Sequence, residues 1–442
     1  MTIAAHTLGC KLNFAETSHL LQQMERQGYQ VVGFGDTADI YVINTCSVTA
    51  VAEKKCRTAI RQAVRRNPHA IVAVVGCFAQ RNAEAIAAIP GVSIVLGNDR
   101  KHLLSEILAE GARPAAAPPT APTAFTPCFS GGDRTRTFFK IQDGCDYFCT
   151  YCAIPLARGR SRSATIAETV AVARQIAAKG NREVVLTGVN TGTFGKQHGE
   201  AFIDLLRELD KVEGILRYRI SSIEPNLITD EIIDFVAAAR AFLPHFHIPL
   251  QAGSDKVLRL MHRHYDTALY ASRLEHIKRV MPHACIAADV ITGFNGEDDE
   301  TFAESKAFID SLPISYLHIF PYSERPDTAA LRMAERVPVA VRRARSTELH
   351  ELSDRKRAAF IAQHLGTTRP VLWEHTPHTI PDGNCPKMSA RTPKMSTRTP
   401  GMQGWTDNYI RLQRPFDATL AGTVTPYPVE NSTIVENYSA DD

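Results

Sequence analysis

Residues 141–163 read IQDGCDYFCTYCAIPLARGRSRS, and the fold of the protein is decided around this stretch. It places three cysteines, Cys145, Cys149 and Cys152, within eight residues, directly after a predicted strand at 137–142. Three thiolates hold three of the four irons of a 4Fe-4S cluster and leave the fourth iron open to a small molecule. Structural zinc is the alternative, but zinc takes four ligands, usually from two CxxC-like pairs, and no second pair lies nearby. The open iron-sulfur site is therefore favoured.

Short apolar segments alternate with helical patterns from residue 137 to residue 322. The predicted strands are 137–142, 183–187, 217–221, 245–249, 285–291 and 316–320. Six βα units in series predict a partial (β/α)6 barrel, whose working face lies at the carboxyl ends of its strands. Because the cysteine motif follows the first strand, we expect it on that face.

The first 111 residues repeat the alternation of strand and helix and predict an α/β domain with a doubly wound parallel sheet. Cys10, Cys46 and Cys77 each stand just beyond a predicted strand. The carboxyl ends of parallel strands share one edge, which is where such folds bind ligands, so the three thiols are expected to converge. Three unrelated buried thiols are the alternative. The threefold repetition of the pattern favours convergence.

Composition excludes several classes of protein. At 442 residues the chain is long enough for about three folding units. Its 44% apolar and 22% charged residues are typical of globular proteins, and no apolar run approaches a transmembrane length. The first residues lack the regions of a secretory signal, so we expect a cytoplasmic protein with no membrane partner. In that compartment the ten cysteines favour metal or catalytic roles over disulfides.

Composition also divides the chain. The predicted segments are a first domain at 1–111, an Ala/Pro/Thr-rich linker at 112–130, the barrel at 131–366, a small antiparallel β barrel at 367–430 and a tail at 431–442. Inside the last barrel, MSARTPK and MSTRTPG form an imperfect repeat at 388–401 without an apolar face. We predict a disordered insertion over about 377–403.

The cysteine motif, its flank, and the motifs HIPLQAGSD at 247–255 and DVITGFNGE at 289–297 resemble the radical-SAM superfamily and, over nearly the whole chain, its methylthiotransferase family. The resemblance implies S-adenosylmethionine on the open iron of the Cys145, Cys149 and Cys152 cluster. It also implies a second 4Fe-4S cluster on Cys10, Cys46 and Cys77, a flavodoxin-type electron donor and a carboxyl-terminal TRAM-like barrel that binds RNA.

The later motifs supply candidate contacts for the cofactor. They are Glu224 for ribose hydroxyls, Gln251 at a strand end, Asp289, and Gly293, where bare backbone approaches adenine closely. Each of these residues has an alternative role as a turn or buried partner. Cys56, Cys128, Cys285 and Cys385 receive no function.

The substrate is the last expectation. HTLGCKLNFAETS at 6–18 resembles the branch of the family that acts on N6-threonylcarbamoyladenosine beside the tRNA anticodon. The alternatives are isopentenyladenosine in tRNA, a ribosomal-protein aspartate, or a non-enzymatic iron-sulfur protein that binds RNA. The candidate RNA contacts are Lys54, Lys55, Arg57, Arg61, Arg65 and Arg66 on one helix, Arg158, Arg160 and Arg162 after the cluster, and Trp405, Tyr409 and Arg411 in the last barrel.

Overall fold

The computed structural model describes residues 1–111, 120–132, 134–375, 378–380 and 399–435. Cys385, much of the predicted linker and insertion, and the end of the predicted tail lie outside these residues.

The first domain is a parallel sheet covered by helices. Its elements are β1 (Thr2–Thr7), α1 (Lys11–Arg26), β2 (Gln30–Val32), β3 (Ile40–Thr45), α2 (Ala50–Arg66), β4 (Ile71–Gly76), α3 (Cys77–Arg81), α4 (Ala83–Ala87), β5 (Ile94–Leu96) and α5 (Leu104–Ala109). The strands lie in the order β2-β1-β3-β4-β5, and every pair is parallel. Separate apolar clusters pack on the two faces, which is why β3 and β4 read as nearly continuous apolar runs.

The register of this sheet brings three strand ends together. Thr7 of β1 pairs with Asn44, and Thr45 of β3 pairs with Gly76 of β4. Since each of the predicted cysteines follows one of these ends, the doubly wound sheet predicted from sequence is confirmed together with its shared carboxyl edge.

The central domain contains all six predicted strands. Its elements are β6 (Cys128–Phe129), β7 (Arg136–Lys140), β8 (Gln142–Asp143), α6 (Ile154–Arg158), β9 (Arg162–Ser163), α7 (Ile166–Ala178), β10 (Glu183–Thr187), α8 (Phe202–Asp210), β11 (Arg217–Ile220), α9 (Asp230–Ala238), β12 (His245–His247), α10 (Asp255–Leu260), α11 (Thr267–Val280), β13 (Cys285–Thr292), α12 (Asp299–Ser311), β14 (Tyr316–Pro321) and α13 (Val339–Ala362). The two residues of β6 fall in the predicted linker and pair antiparallel with β7.

The six strands form two parallel halves of an open barrel. One half has the order β11-β10-β7, with the short β6 antiparallel at its edge, and the other has the order β12-β13-β14. An isolated parallel bridge joins Tyr218 of β11 to Phe242, just before β12. Side chains alternate along each strand. One set, including Val184 and Leu186, packs under the helices in the largest apolar core. The other set is strongly polar, with Glu183 and Arg219 buried on the inner face.

The last domain is an antiparallel sheet of β15 (Thr368–Trp373), β16 (His378–Ile380), β17 (Thr399–Thr406), β18 (Arg411–Pro415) and β19 (Val424–Pro428). In the part of the chain that the structure describes, no pairing closes this sheet into a barrel, so only the antiparallel sheet is confirmed. The predicted insertion at 377–403 is too long at both ends, because 378–380 pairs with 399–401. Two strands can pair through backbone hydrogen bonds without an apolar face, so the lack of apolar residues did not predict the structure of these residues correctly.

The antiparallel sheet covers the inner face of the open barrel. Arg219 donates to the Thr406 carbonyl oxygen at 2.7 Å, and the Tyr409 ring stacks on His245 at 4.2 Å between centroids. Trp405 is 1% exposed and Arg411 is also buried. The prediction that Trp405, Tyr409 and Arg411 form an RNA-contacting surface is therefore wrong. An aromatic residue on a small β domain can cover a neighbouring domain as readily as a nucleic acid, and sequence does not distinguish the two.

Among the described residues, no helix combines the length and the apolarity needed to cross a lipid bilayer.

Candidate iron-sulfur and cofactor site

The first cysteine motif lies in the loop between β8 and α6, at the carboxyl end of the first barrel strand. Cys145 N donates to the Gly159 carbonyl oxygen at 3.1 Å, and Cys152 N donates to the Cys149 carbonyl oxygen at 2.9 Å. Gly144 starts the loop at φ +71°, and a Cβ there would collide with the Arg160 carbonyl. The loop is thus a tight turn closed by backbone hydrogen bonds, which brings its three thiols to one side.

The thiols of this loop suit a cationic iron cluster. Burial is the main cause that raises the pKa of Cys145 to about 11 and of Cys152 to about 12, and the neighbouring Cys149 adds to both shifts. Three adjacent thiolates would repel one another without a compensating positive charge. Iron bound to all three sulfurs supplies that charge and favours the deprotonated ligands, so the donor set fits a cluster.

Arg263 links the motif to the barrel. Its Nη1 lies 3.1 Å from Cys149 Sγ, and its other terminal nitrogen forms an ion pair with Glu224. Burial outweighs the Arg263 charge and raises the pKa of Glu224. Arg263 was missed by the sequence analysis, because MHRHYD at 261–266 has no spacing that announces a contact with a sulfur.

The second set of thiols gathers at the carboxyl edge of the first domain. A Cβ on Gly9 would lie 2.8 Å from Cys46 Cβ, so the turn before Cys10 packs directly on Cys46. Burial chiefly, and then Cys77, raises the pKa of Cys46 to about 12, with a smaller effect from Cys10. Cys10, Cys46 and Cys77 therefore influence one another electrostatically, as convergence requires, and their sulfurs are a donor set of the same kind as the first.

A buried network of ions joins the two sets of thiols. Arg158, at the end of the helix that follows Cys152, donates to Asp143 at 2.9 Å and to Asn13 of α1 at 2.5 Å. Glu16 of α1 pairs with Lys140 at 2.7 Å and with Lys101. Because both α1 and α6 begin a few residues after a cluster cysteine, these contacts fix the spacing between the two sites.

A second contact connects the sites through backbone. Asn98 donates to the carbonyl oxygen of Ala157 at 2.8 Å, and the same side-chain nitrogen lies 3.4 Å from Cys77 Sγ. The side chain thus contacts both the first domain's thiol and the helix that follows the barrel's cysteine motif.

Two of the predicted cofactor contacts, Gln251 and Gly293, follow the strands β12 and β13 of the second half-barrel, whereas Glu224 follows β11 of the first. Gln251 has φ +66° and donates from its backbone N to the Asp289 carbonyl oxygen at 2.7 Å. Gly293 has φ +69°, and a Cβ there would collide with Arg342. Packing against Arg342 therefore explains Gly293 without any ligand, which is the alternative role considered for it. Its place as an adenine contact stays a prediction.

The remaining cysteines are ordinary buried residues. Cys56 Sγ lies 3.4 Å from Cys46 N, which makes it a neighbour of the second thiol set. Cys128 packs beside Phe138, and Cys285 belongs to the core shared with the antiparallel sheet.

Two polar side chains, His247 and His318, were missed by the sequence analysis, and they lie beside Asp289, which it named as a cofactor contact. His247, Asp289 and His318 offer ligand atoms that all lie within 4.8 Å of one another. The first two belong to motifs already quoted, and their alternation along β12 and β13 was the available signal. Asp289 was assigned to the cofactor, whereas its carboxylate accepts from His247 Nε2 at 2.7 Å.

An open six-stranded barrel with a three-cysteine loop after its first strand is the arrangement typical of the radical-SAM class of iron-sulfur enzyme. Residues 139–309 match the radical-SAM superfamily, and residues 2–97 match a family described as the uncharacterized protein family UPF0004. The chain is 40% identical to the threonylcarbamoyladenosine tRNA methylthiotransferase MtaB of Bacillus subtilis (strain 168), over 93% of this chain and 90% of that protein. It is 39% identical to the MtaB of Aquifex aeolicus (strain VF5), over 83% and 91%. The chain belongs to the radical-SAM tRNA methylthiotransferase family.

More distant proteins agree on the fold. The tRNA-2-methylthio-N(6)-dimethylallyladenosine synthase of Sphingopyxis alaskensis is 32% identical over 84% of this chain and 86% of its own. The radical S-adenosylmethionine methyltransferase TsrM of Kitasatospora setae, solved with cobalamin and a 4Fe-4S cluster, superposes with a TM-score of 0.54 at 16% identity, over 74% of this chain and 76% of that one. This last likeness concerns the fold alone.

Proposed function

We propose that the protein adds a methylthio group to C2 of the adenine in N6-threonylcarbamoyladenosine, next to the anticodon of tRNA. The observation that carries this proposal is the similarity to MtaB proteins over most of the chain, at 40% identity over 93% of it for the Bacillus subtilis protein. The dimethylallyladenosine synthases are less similar, at 32% for those of Sphingopyxis and Novosphingobium. The threonylcarbamoyl substrate is therefore favoured over isopentenyladenosine.

Two 4Fe-4S clusters and S-adenosylmethionine complete the proposed enzyme. Cys145, Cys149 and Cys152 would hold one cluster, and Cys10, Cys46 and Cys77 the other. Together with S-adenosylmethionine, the clusters supply the radical that activates an unreactive C–H bond and the sulfur that replaces the hydrogen. A flavodoxin-type reductant in the cytoplasm is the proposed electron donor.

The protein's own residues position these groups. Arg263 holds Glu224 and contacts Cys149, so the carboxylate stays on the cofactor side of the loop. Arg158 and Glu16 keep the two cysteine sets at a fixed spacing, so that one adenine can meet both.

The surface for tRNA is proposed on helix α2 and the loop after the first cysteine motif. Arg160 is mostly exposed, and the α2 residues Lys54, Lys55 and Arg61 are exposed as well. Positive side chains at these positions suit the phosphates of a stem-loop. Arg158 and Arg162 do not take part, because both are buried in ion pairs.

The first experiment separates the two clusters. Replacing Cys145, Cys149 and Cys152 with Ala should abolish formation of 5′-deoxyadenosine in the reconstituted protein. Replacing Cys10, Cys46 and Cys77 should leave that reaction and remove about half of the iron, as two four-iron clusters demand. An unchanged iron content in the second variant would refute the second cluster, and a Cys56→Ala variant is the matched control.

The second experiment tests the substrate. Deleting the gene should remove 2-methylthio-N6-threonylcarbamoyladenosine from tRNA, measured by mass spectrometry of nucleosides, and leave its unmethylthiolated precursor. If that nucleoside persists and a methylthiolated isopentenyladenosine or ribosomal aspartate disappears, the substrate assignment is wrong. Absence of 5′-deoxyadenosine formation by the wild-type protein would instead favour a non-enzymatic RNA-binding protein.

A further inference from the structure

A polar cluster lies inside the second half-barrel and includes Asp289, one of the proposed cofactor contacts. His247, Asp289 and His318 stand on the adjacent strands β12, β13 and β14, and Asp289 pairs in register with His318. His247 Nε2 lies 2.7 Å from Asp289 Oδ1, and the two imidazole rings are 5.0 Å apart between centroids. The side chains of His247 and Asp289 keep about a fifth of their surface exposed, at 18% and 20%. The cluster is therefore open to a ligand.

Lys11 brings a positive charge to this cluster from the other domain. It is the first residue of α1, directly after Cys10, and it is exposed. Within the described ranges its ammonium has no hydrogen bond or ion pair. Burial, then His247, lowers the pKa of His318 to about 4, and Lys11 adds to the shift. Lys11 also lowers the pKa of Asp289, after burial, which raises it, and His247, which lowers it. Lys11 is therefore near enough to act electrostatically on both His318 and Asp289.

The charges of these residues decide between two kinds of ligand. Two imidazoles and a carboxylate are a familiar set of metal ligands. A metal cation would be repelled by Lys11, however, and Asp289 Oδ1 already accepts from His247. A ligand with a negative group meets an unpaired ammonium and the donor of a neutral His318 instead. The cluster fits an anionic organic group better than a metal.

We propose that Lys11 and His318 bind the carboxylate of the threonyl group of the substrate nucleoside, and that the His247–Asp289 pair binds its hydroxyl. This inference rests on the proposed function and adds the residues that select the substrate. Isopentenyladenosine carries no charge on its N6 substituent, so it would leave Lys11 unpaired and desolvated. The site would therefore reject it, because discrimination is strong where a missing partner strands a polar group of the protein.

The test uses the reconstituted full-length enzyme and two synthetic anticodon stem-loops. One stem-loop carries N6-threonylcarbamoyladenosine and the other carries its methyl ester, which lacks the negative charge. We expect wild type to prefer the acid over the ester by at least about tenfold in kcat/KM, the effect of one charge-assisted hydrogen bond. Lys11→Gln and His318→Phe should lose most of this preference, while Lys11→Arg retains it.

Two measurements keep the outcome specific. Iron content and formation of 5′-deoxyadenosine in the absence of RNA, measured in both Lys11→Gln and His318→Phe, distinguish a lost carboxylate contact from a lost cluster. If wild type treats acid and ester alike, the subsite is refuted and the proposed function stands. A wild type that modifies neither stem-loop but modifies one with isopentenyladenosine refutes both. If wild type binds a metal ion in addition to the iron of its two 4Fe-4S clusters, and His318→Phe loses that ion, then His247, Asp289 and His318 form a metal site and the carboxylate subsite is refuted.

Discussion

At the scale of single residues, Arg263 makes several contacts at the proposed site that no sequence motif indicated. It is 2% exposed, pairs with Glu224 and lies beside the Cys149 sulfur. Its guanidinium also contacts the hydroxyl oxygens of Tyr151 and Tyr265. A single buried cation thus orders the cysteine loop and a proposed cofactor contact together.

Replacing Arg263 with Met should destabilise the protein strongly. Glu224 would be left as a buried carboxylate without its cation, and breaking such a pair costs about 3–5 kcal/mol. Urea unfolding of the reconstituted protein measures the loss. The double variant with Glu224→Gln is the control and should recover much of the stability, because no charge is then stranded. Equal losses in the single and double variants would contradict the explanation.

Gly144 gives a second prediction at this scale. Gly144→Ala should lower the bound iron and the yield of 5′-deoxyadenosine, because the added methyl group collides with the Arg160 carbonyl and opens the cysteine loop. Gly180→Ala is the matched control, since Gly180 has φ +80° with nothing near its Cβ position. It should cost only the backbone strain of about 1–2 kcal/mol and keep its iron. Full iron in Gly144→Ala would show that the loop tolerates the shift.

At the scale of secondary-structure elements, helices α1 and α6 are connected by charges rather than by an apolar interface. Glu16 is held by Lys101, Lys140 and Arg158. Burial opposes its ionisation, but these three cations outweigh burial and lower the pKa of Glu16. These ion pairs hold α1 and α6 in one relative orientation, since charged hydrogen-bond partners must meet in a defined geometry.

Glu16→Gln should therefore destabilise the protein in a pH-dependent way. The lowered pKa means that the stabilising charge is fully present above the ordinary value of 4.5 and is lost as the pH falls towards the folded pKa. Wild type should be markedly more stable than the variant at pH 7, and the difference should narrow below about pH 4.5. Chemical unfolding across this range measures it. The exposed Glu106→Gln is the control, and a difference that does not change with pH would contradict the prediction.

At the scale of the whole molecule, the antiparallel sheet closes the polar interior of an open barrel. Arg217 and Arg219 donate to backbone carbonyls of Trp405, Thr406 and Asp407. Tyr409 stacks on both His245 and Trp405. The antiparallel sheet thus provides hydrogen-bond acceptors for the arginines on the inner face of the barrel, which stays open on this side.

Tyr409→Ala should destabilise the barrel and the antiparallel sheet together. Removing a large packed ring costs about 3–5 kcal/mol when the neighbours cannot collapse into the space. Hydrogen exchange should speed up in β12 and β13 as well as in β17. Tyr427→Ala is the control, because Tyr427 packs on Trp373 within the sheet and should affect the sheet alone. Unchanged hydrogen exchange in β12 and β13 would show that the antiparallel sheet contacts the barrel without stabilising it.

Much of this arrangement follows from local sequence. The six barrel strands and the doubly wound sheet were predicted because apolar runs and amphipathic helices alternate with clear periods. The convergence of Cys10, Cys46 and Cys77 followed from one rule, that parallel strands end at a common edge. The insertion boundary failed because composition reports the lack of apolar side chains, whereas 378–380 and 399–401 are joined by backbone hydrogen bonds.

The sequence by itself determined the family, the two sets of cysteines and the order of the domains, since each depends on residues close together in the chain or on strand ends in one sheet. Only the tertiary structure placed Arg263 beside Cys149, Glu16 beside Arg158 and Lys11 near His318. It also turned Trp405 and Tyr409 from proposed RNA contacts into a buried interface. The physical reason is common to all of these: a charge or an aromatic ring has no period in sequence, and its partner is chosen by how separate domains dock.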